Sequence, residues 1–133
     1  MNNIEGEKSV NLCEFLLNRK FDPNIEIEPE QIIFKIGGKK IGSLQNLVTI
    51  SGKQKGGKTR FMSAGIAAAL SGKSIFEIEI HLPHNRRKVC LFDTEQGGYD
   101  FAKTIKQINK FSGTISNLDA YNVREDEPAL ILQ

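Results

Sequence analysis

The sequence predicts an α/β fold: a parallel sheet with flanking helices built around a phosphate-binding loop, preceded by a short N-terminal helix and a hairpin. Three observations predict it. Gly52-Lys53-Gln54-Lys55-Gly56-Gly57-Lys58-Thr59 fits the pattern G-x-x-x-x-G-K-[ST] and lies between a strand-like and a helix-like apolar run. A second apolar run, Lys88-Val89-Cys90-Leu91-Phe92-Asp93, ends in acidic residues and leads into a segment of helical periodicity. Strand-like and helix-like segments alternate over the second half of the chain, the signature of a parallel sheet with right-handed crossovers, where ligands bind at the carboxyl ends of the strands.

Taking the elements in order, Ser9 is placed to cap a helix running to about Lys20, with Val10, Cys13, Leu16 and Leu17 on one face. Asp22-Pro23 ends it. From there to Pro29 the alternation of Ile25 and Ile27 with Glu26 and Glu28 is bracketed by prolines, which predicts a loop or a weak edge strand. Residues 1–30 therefore read as a helical arm and linker, and 31–133 as the nucleotide-binding domain. Gln31–Ile36, Gly37-Gly38 and Lys39–Ile41 predict a hairpin closed by a two-residue turn. Leu47-Val48-Thr49-Ile50, rich in β-branched residues, predicts a buried strand entering the loop. A helix is expected from Gly57 to about Ser71, since Phe61–Leu70 has no proline and four alanines, with Gly72 as its stop. Ser74–Leu82 alternates Ile75, Glu77 and Glu79 with Phe76, Ile78 and Ile80, as a short half-exposed strand or extended excursion does. After the strand 88–93, Gly97-Gly98 breaks the chain. A helix follows from about Tyr99 to Phe111 with Phe101, Ile105, Ile108 and Phe111 near helical spacing, and Leu118–Val123 reads as a third short strand. Glu127–Gln133 resembles the start of a further element without a polar stop, so the core is expected to be incomplete at its C-terminal side.

Bulk properties bound the partners. A chain of 133 residues is one domain in size, and 39% hydrophobic with 26% charged residues is the composition of an ordinary soluble globular protein. A net charge of +2 supplies no overall attraction for nucleic acid or an anionic membrane. The N-terminus lacks the basic and apolar regions of a secretory signal, and no apolar stretch is long enough to span a bilayer. The two cysteines, Cys13 and Cys90, lie far apart beside apolar residues and are expected as reduced core thiols of a cytoplasmic protein.

The chemistry is carried by the loop. Ordinary residue frequencies make the eight-residue pattern an accident in about 0.5% of chains this long. Its glycines let the backbone fold around a polyphosphate so that N–H groups and the next helix's N-terminus face the anion. Lys58 is then expected on the β- and γ-phosphates of a nucleotide, and the Thr59 hydroxyl on Mg²⁺. Lys53 and Lys55 add charge nearby or point to solvent. At the end of the second strand, Asp93-Thr94-Glu95 offers two carboxylates, and two readings are open. In one, Asp93 holds the metal and Glu95 is the base; in the other, Glu95 alone is catalytic, Asp93 is structural, and a further acidic strand supports the metal. The second is preferred. A solvated strand end is the plain alternative for both.

The order Leu-Val-Thr-Ile-Ser-Gly, phosphate loop, helix and Val-Cys-Leu-Phe-Asp-Thr-Glu-Gln-Gly-Gly resembles the amino-terminal half of the RecA-like ATPase core, most of all the replicative-helicase and RepA-type ATPases of plasmids and mobilisable elements. The resemblance spans about Ile32 to Val123. It implies ATP with Mg²⁺ as ligands, Glu95 as the residue that activates water, DNA as a partner of the complete protein, and homo-oligomerisation. The family's Walker B strand, DNA-contacting loops and arginine finger have no counterpart here. A non-catalytic ATP-binding unit and a phosphate-loop kinase are the alternative functions; a kinase needs an arginine-bearing lid, which the sequence lacks.

Weaker signals have plainer explanations. His81-Leu82-Pro83-His84 has no partner at metal-ligand spacing and reads as a surface loop. His84–Lys88 is a basic run that suits either a phosphate backbone or a solvated turn. Gln96 is placed to sense a γ-phosphate by adjacency alone, and Tyr99 suits a helix face better than a stacking role.

Overall fold

The computed structural model describes residues 11–124 of the chain. Ser9, Val10 and the segment Glu127–Gln133, for which a cap, a helix face and a further element were expected, lie outside the described residues. In chain order the elements are α1 (Leu12–Leu17), β1 (Ile32–Ile36), β2 (Lys39–Ser43), α2 (Lys58–Ser71), β3 (Ile78–Ile80), β4 (Val89–Asp93), α3 (Gly98–Ser112) and β5 (Leu118–Asn122). They form a mixed α/β structure, but not the single parallel sheet expected: β2-β1-β3 is antiparallel, because β1 pairs with the hairpin strand β2 on one edge and with β3 on the other, and the parallel pairing is confined to a separate pair β4-β5.

The expected hairpin is present. Ile36 pairs with Lys39 across Gly37-Gly38, whose φ values of 54° and 75° are those a two-residue turn requires and glycine supplies without strain. β3 adds to the other edge of β1, Phe34 opposite Ile80 and Ile36 opposite Ile78. The sequence pattern placed 74–82 in one extended run. Instead the chain reverses at Phe76-Glu77, with Ile75 and Ile78 exchanging backbone hydrogen bonds of 2.9 and 3.0 Å, so Ile75 and Ile78 both reach the core and Phe76 is left exposed.

α2 is the central element. Ser63, Ala64, Gly65, Ala67 and Ala68 are all buried, because the helix is covered on more than one side, by β3, by α3 and by β4. Small side chains permit that close approach, and a helix buried so widely has no clean polar face. Ala64, Ala68 and Ile78 form the core cluster, with Phe34, Ile36, Phe61, Ile75 and Ile80 packed on it. α3 is amphipathic as expected: Ile108 and Thr104 are buried, Phe101, Ile105 and Phe111 half-buried, and its lysines exposed. Gly72 and Gly113 end the two helices at φ values of 67° and 75°, each returning an N–H to the last turn.

β4 and β5 pair in parallel through α3, from Val89 opposite Leu118 to Asp93 opposite Asn122, the βαβ arrangement the alternation predicts. At the start of the pair the Asp119 carboxylate, 2.8 Å from Lys88 Nζ, holds that ammonium's pKa above its ordinary value.

Three expectations are corrected. Leu47–Ile50 forms no strand: all four residues are exposed, and among the described residues no strand pairs with them. Only Val48 is closely seated, over Gly42, where an added Cβ would come within 2.9 Å of its methyl. α1 is shorter than expected, capped by the Asn11 side chain on Cys13 N–H, and buries none of its residues, Leu16 and Leu17 included. Cys13 and Cys90 are unpaired, but both are exposed rather than in the core: Cys13 lies on that uncovered helix, and Cys90 faces away from the side of β4 that buries Leu91. Among the described residues no helix is long and apolar enough to cross a membrane.

Candidate nucleotide site

The loop Gly52–Thr59 folds into a compact turn that leads into α2. Gly56 N–H donates to the Lys53 carbonyl at 3.0 Å, and the closure is so tight that a Cβ on Gly56 would stand 2.8 Å from that same oxygen. Lys55 and Gly57 take φ values of 62° and 82°, completing the reversal. Gly57 is the N-cap of α2 and offers no side chain, so no side chain caps the first-turn N–H groups and the positive end of the helix dipole. Lys58 folds back across the turn: its Nζ donates to the carbonyl oxygens of Gly52 at 2.7 Å and Lys53 at 2.9 Å. The loop is thereby tied to the helix by its own ammonium group, which remains exposed.

The end of β4 lies across from it. Lys58, Thr59, Asp93, Thr94 and Glu95 line one cleft of about 320 Å³. A second cleft of about 510 Å³ runs over Gln54–Arg60 and is also bounded by Glu95. Lys58, Thr59 and Glu95 border both, so the residues singled out in two motifs 36 positions apart (95 − 59) share one depression. Gly52 and Lys53 belong to the same turn through their bonds to Lys58; the Lys53 and Lys55 side chains are exposed.

The two carboxylates differ in their surroundings. Asp93 Oδ1 accepts from the N–H of Glu95 at 2.9 Å and of Gln96 at 2.7 Å, so it shapes the turn that presents Glu95. Its backbone carbonyl accepts from Val123 N–H at 2.9 Å. Glu95 itself is exposed at the mouth of the clefts. Gln96 also borders the smaller cleft; its Oε1 accepts from the buried Thr104 hydroxyl at 2.9 Å, and its carbonyl accepts from Asn122 Nδ2 at 3.1 Å. Thr104 and Asn122 were not legible as supports of the site, since each lies 8 or 26 residues from Gln96 and belongs to no motif. Arg60 and Gln107, which also border the larger cleft, carried no sequence signal either.

The remaining candidates sit elsewhere. Tyr99 is exposed with Lys103 Nζ 4.3 Å over its ring, a contact within one helix face. His81 and His84 lie in a loop at the opposite end of α2 from the Gly52–Thr59 turn, His81 3.5 Å from Glu79 and His84 against Arg87. Among the described residues no cluster of three His, Cys, Asp or Glu side chains is placed to hold a metal ion.

No family model, no curated protein and no solved structure matches the chain.

Proposed function

We propose that the chain binds a nucleoside triphosphate, ATP with Mg²⁺, on Gly52, Lys53, Gln54, Lys55, Gly56, Gly57, Lys58 and Thr59, as the nucleotide-binding part of a RecA-like, DNA-dependent ATPase of helicase or mobilisation type. The observation that carries the nucleotide reading is Lys58: its ammonium is pinned by two loop carbonyls beside an uncapped helix N-terminus, and Glu95 stands across the same depression. An uncapped N-terminus with free N–H donors favours an anion, and the fixed cation beside it favours one of high charge. The finer part, RecA-like architecture and DNA dependence, rests on the resemblance of the motif order.

The residues present fit a magnesium–nucleotide ligand. Thr59 and Asp93 line the same cleft as Lys58, a hydroxyl and a carboxylate of the kind that hold Mg²⁺ directly or through water. When bound, Mg²⁺ supplies neutralisation of charge on the β- and γ-phosphate oxygens. Lys58 adds a second positive charge on those oxygens, and the loop N–H groups orient them. Glu95, exposed and held at the end of an Asp93-organised turn, accepts the proton of the water that attacks the γ-phosphorus.

The test is calorimetric titration of the full chain with ATP, with and without Mg²⁺, against Lys58→Ala. Saturable, Mg²⁺-strengthened binding that the substitution weakens about 100-fold is expected from the loss of a charge-assisted contact to phosphate. Equal affinity of parent and variant would remove the loop from the site.

A further inference from the structure

Beside the phosphate loop lies a second depression of different chemistry. A cleft of about 500 Å³ is walled by the carbon side chains of Ile36, Phe61, Ala64, Phe76 and Ile78. It adjoins the polar cleft over the loop, since Gly57 and Arg60 border both. A polyphosphate seated on the loop thus has a neighbouring apolar slot, with Arg60 bordering both. From this geometry we propose that the cleft between α2 and the β1-β3 sheet takes the nucleobase of the bound nucleotide, with Phe76 as its stacking surface and Arg60 at the rim. The inference rests on the nucleotide reading of the loop.

Phe76 is the residue that singles the cleft out. It is 68% exposed although aromatic, and it sits with Glu77 in a two-residue turn where both residues have positive φ, 50° and 63°. Such turns favour Asn-Gly, and a bulky aromatic residue there is a conformational outlier of the kind that marks ligand clamps. The strained turn is fixed on both sides: Ile75 and Ile78 exchange hydrogen bonds across it, and Gly37 N–H donates to the Glu77 carbonyl at 3.0 Å. The ring is steadied edge-on by Phe111, centroids 5.3 Å apart at 89°, a T-shaped contact that fixes its orientation without calling on a second stacking partner. Phe61, one position beyond Arg60 on α2, supplies carbon surface to the same slot. An apolar slot with one cation at its mouth suits a flat heteroaromatic ring, and a slot ordered before binding loses little entropy on closing.

The phosphate loop alone does not distinguish a nucleotide from an inorganic polyphosphate; the base slot does. The test is calorimetric titration of the full chain with ATP and with inorganic tripolyphosphate, for the parent, Phe76→Ala and Phe76→Gly, each checked for parental circular dichroism. Glycine is included because it accepts the positive φ without strain, so that variant keeps the turn if alanine disturbs it. The parent is expected to bind ATP more tightly than tripolyphosphate. Both substitutions should weaken ATP by about tenfold, the usual cost of removing one aromatic partner from a stacked base, and leave tripolyphosphate unchanged. Unchanged ATP affinity in a folded Phe76→Gly chain would overturn the base slot while leaving the phosphate loop intact. Failure of the parent to bind either ligand would overturn the phosphate-loop reading and the inference with it.

Discussion

Gly56 and Asp93 do different work in the same depression, and single-atom changes separate them. Gly56→Ala places a methyl carbon 2.8 Å from the Lys53 carbonyl, a distance at which the backbone must shift. The turn then opens, and the two carbonyls that hold Lys58 separate. Nucleotide affinity is expected to fall at least tenfold in calorimetry while far-UV circular dichroism stays parental, since the loop lies outside the core. Asp93→Ala leaves the N–H groups of Glu95 and Gln96 without their acceptor, at a cost of about 1–2 kcal/mol. Asp93→Asn keeps an acceptor oxygen, so urea denaturation should show most of that stability restored. Glu95→Gln removes a proton acceptor from an exposed position and changes no hydrogen bond that shapes the turn. Under the proposed function it should retain ATP binding and lower turnover; unchanged turnover with Asp93→Asn inactive would reverse the two roles.

The element on which the fold depends is α2. Ala67 and Ala68 are fully buried at a helix covered on several sides, so there is no free volume for a longer side chain. Ala68→Leu is expected to cost about 1–3 kcal/mol by overpacking, read as a drop in the urea midpoint, whereas Lys106→Leu on the exposed face of α3 should be near neutral. The pairing of β4 with β5 carries an electrostatic clasp, Lys88 with Asp119. The lysine pKa is raised by the hydrogen bond and charge of Asp119, so the folded state favours the protonated lysine. That contribution is fully present below the unfolded lysine value and is lost as pH rises through the raised folded one. Lys88→Met should therefore shift the melting temperature by a small and constant amount from pH 6 to 9 and by less above pH 11. A shift that varies across pH 6–9 would assign the pH response to another group.

At the scale of the whole molecule, binding and turnover are expected to part. The carboxylates lining the two clefts are Asp93 and Glu95, and one oxygen of Asp93 already accepts two backbone N–H groups. Phosphoryl transfer depends on positioning and on several positive groups around the γ-phosphate; the basic residues bordering this cleft are Lys55, Lys58 and Arg60. The 133-residue chain by itself is expected to bind ATP but to release phosphate near the background rate, with or without single-stranded DNA. Robust DNA-stimulated release would mean that the site is catalytically complete.

Local chemistry made much of this legible in advance. The glycines at 37, 38 and 57 and the stop at Gly72 are read from sequence because only glycine takes their positive-φ conformations cheaply, and the α2 and α3 segments because propensity and 3.6-residue periodicity are properties of neighbours in the chain. The same patterns misled at Leu47–Ile50 and along α1, where apolar residues are exposed: a hydrophobic run states what a segment can bury, and only the elements around it decide whether it does. The reversal at Phe76-Glu77 was hidden for the opposite reason, since neither residue favours a turn and the pairing of β3 with β1 imposes it. The sequence by itself determined the glycine-rich turn before α2, that helix and the acidic end of β4. Tertiary structure alone decided that Lys58, Thr59 and Glu95 share one depression, that Gln96 is held by Thr104, and that an apolar cleft opens beside Gly57, because those relations are contacts between residues far apart in the chain.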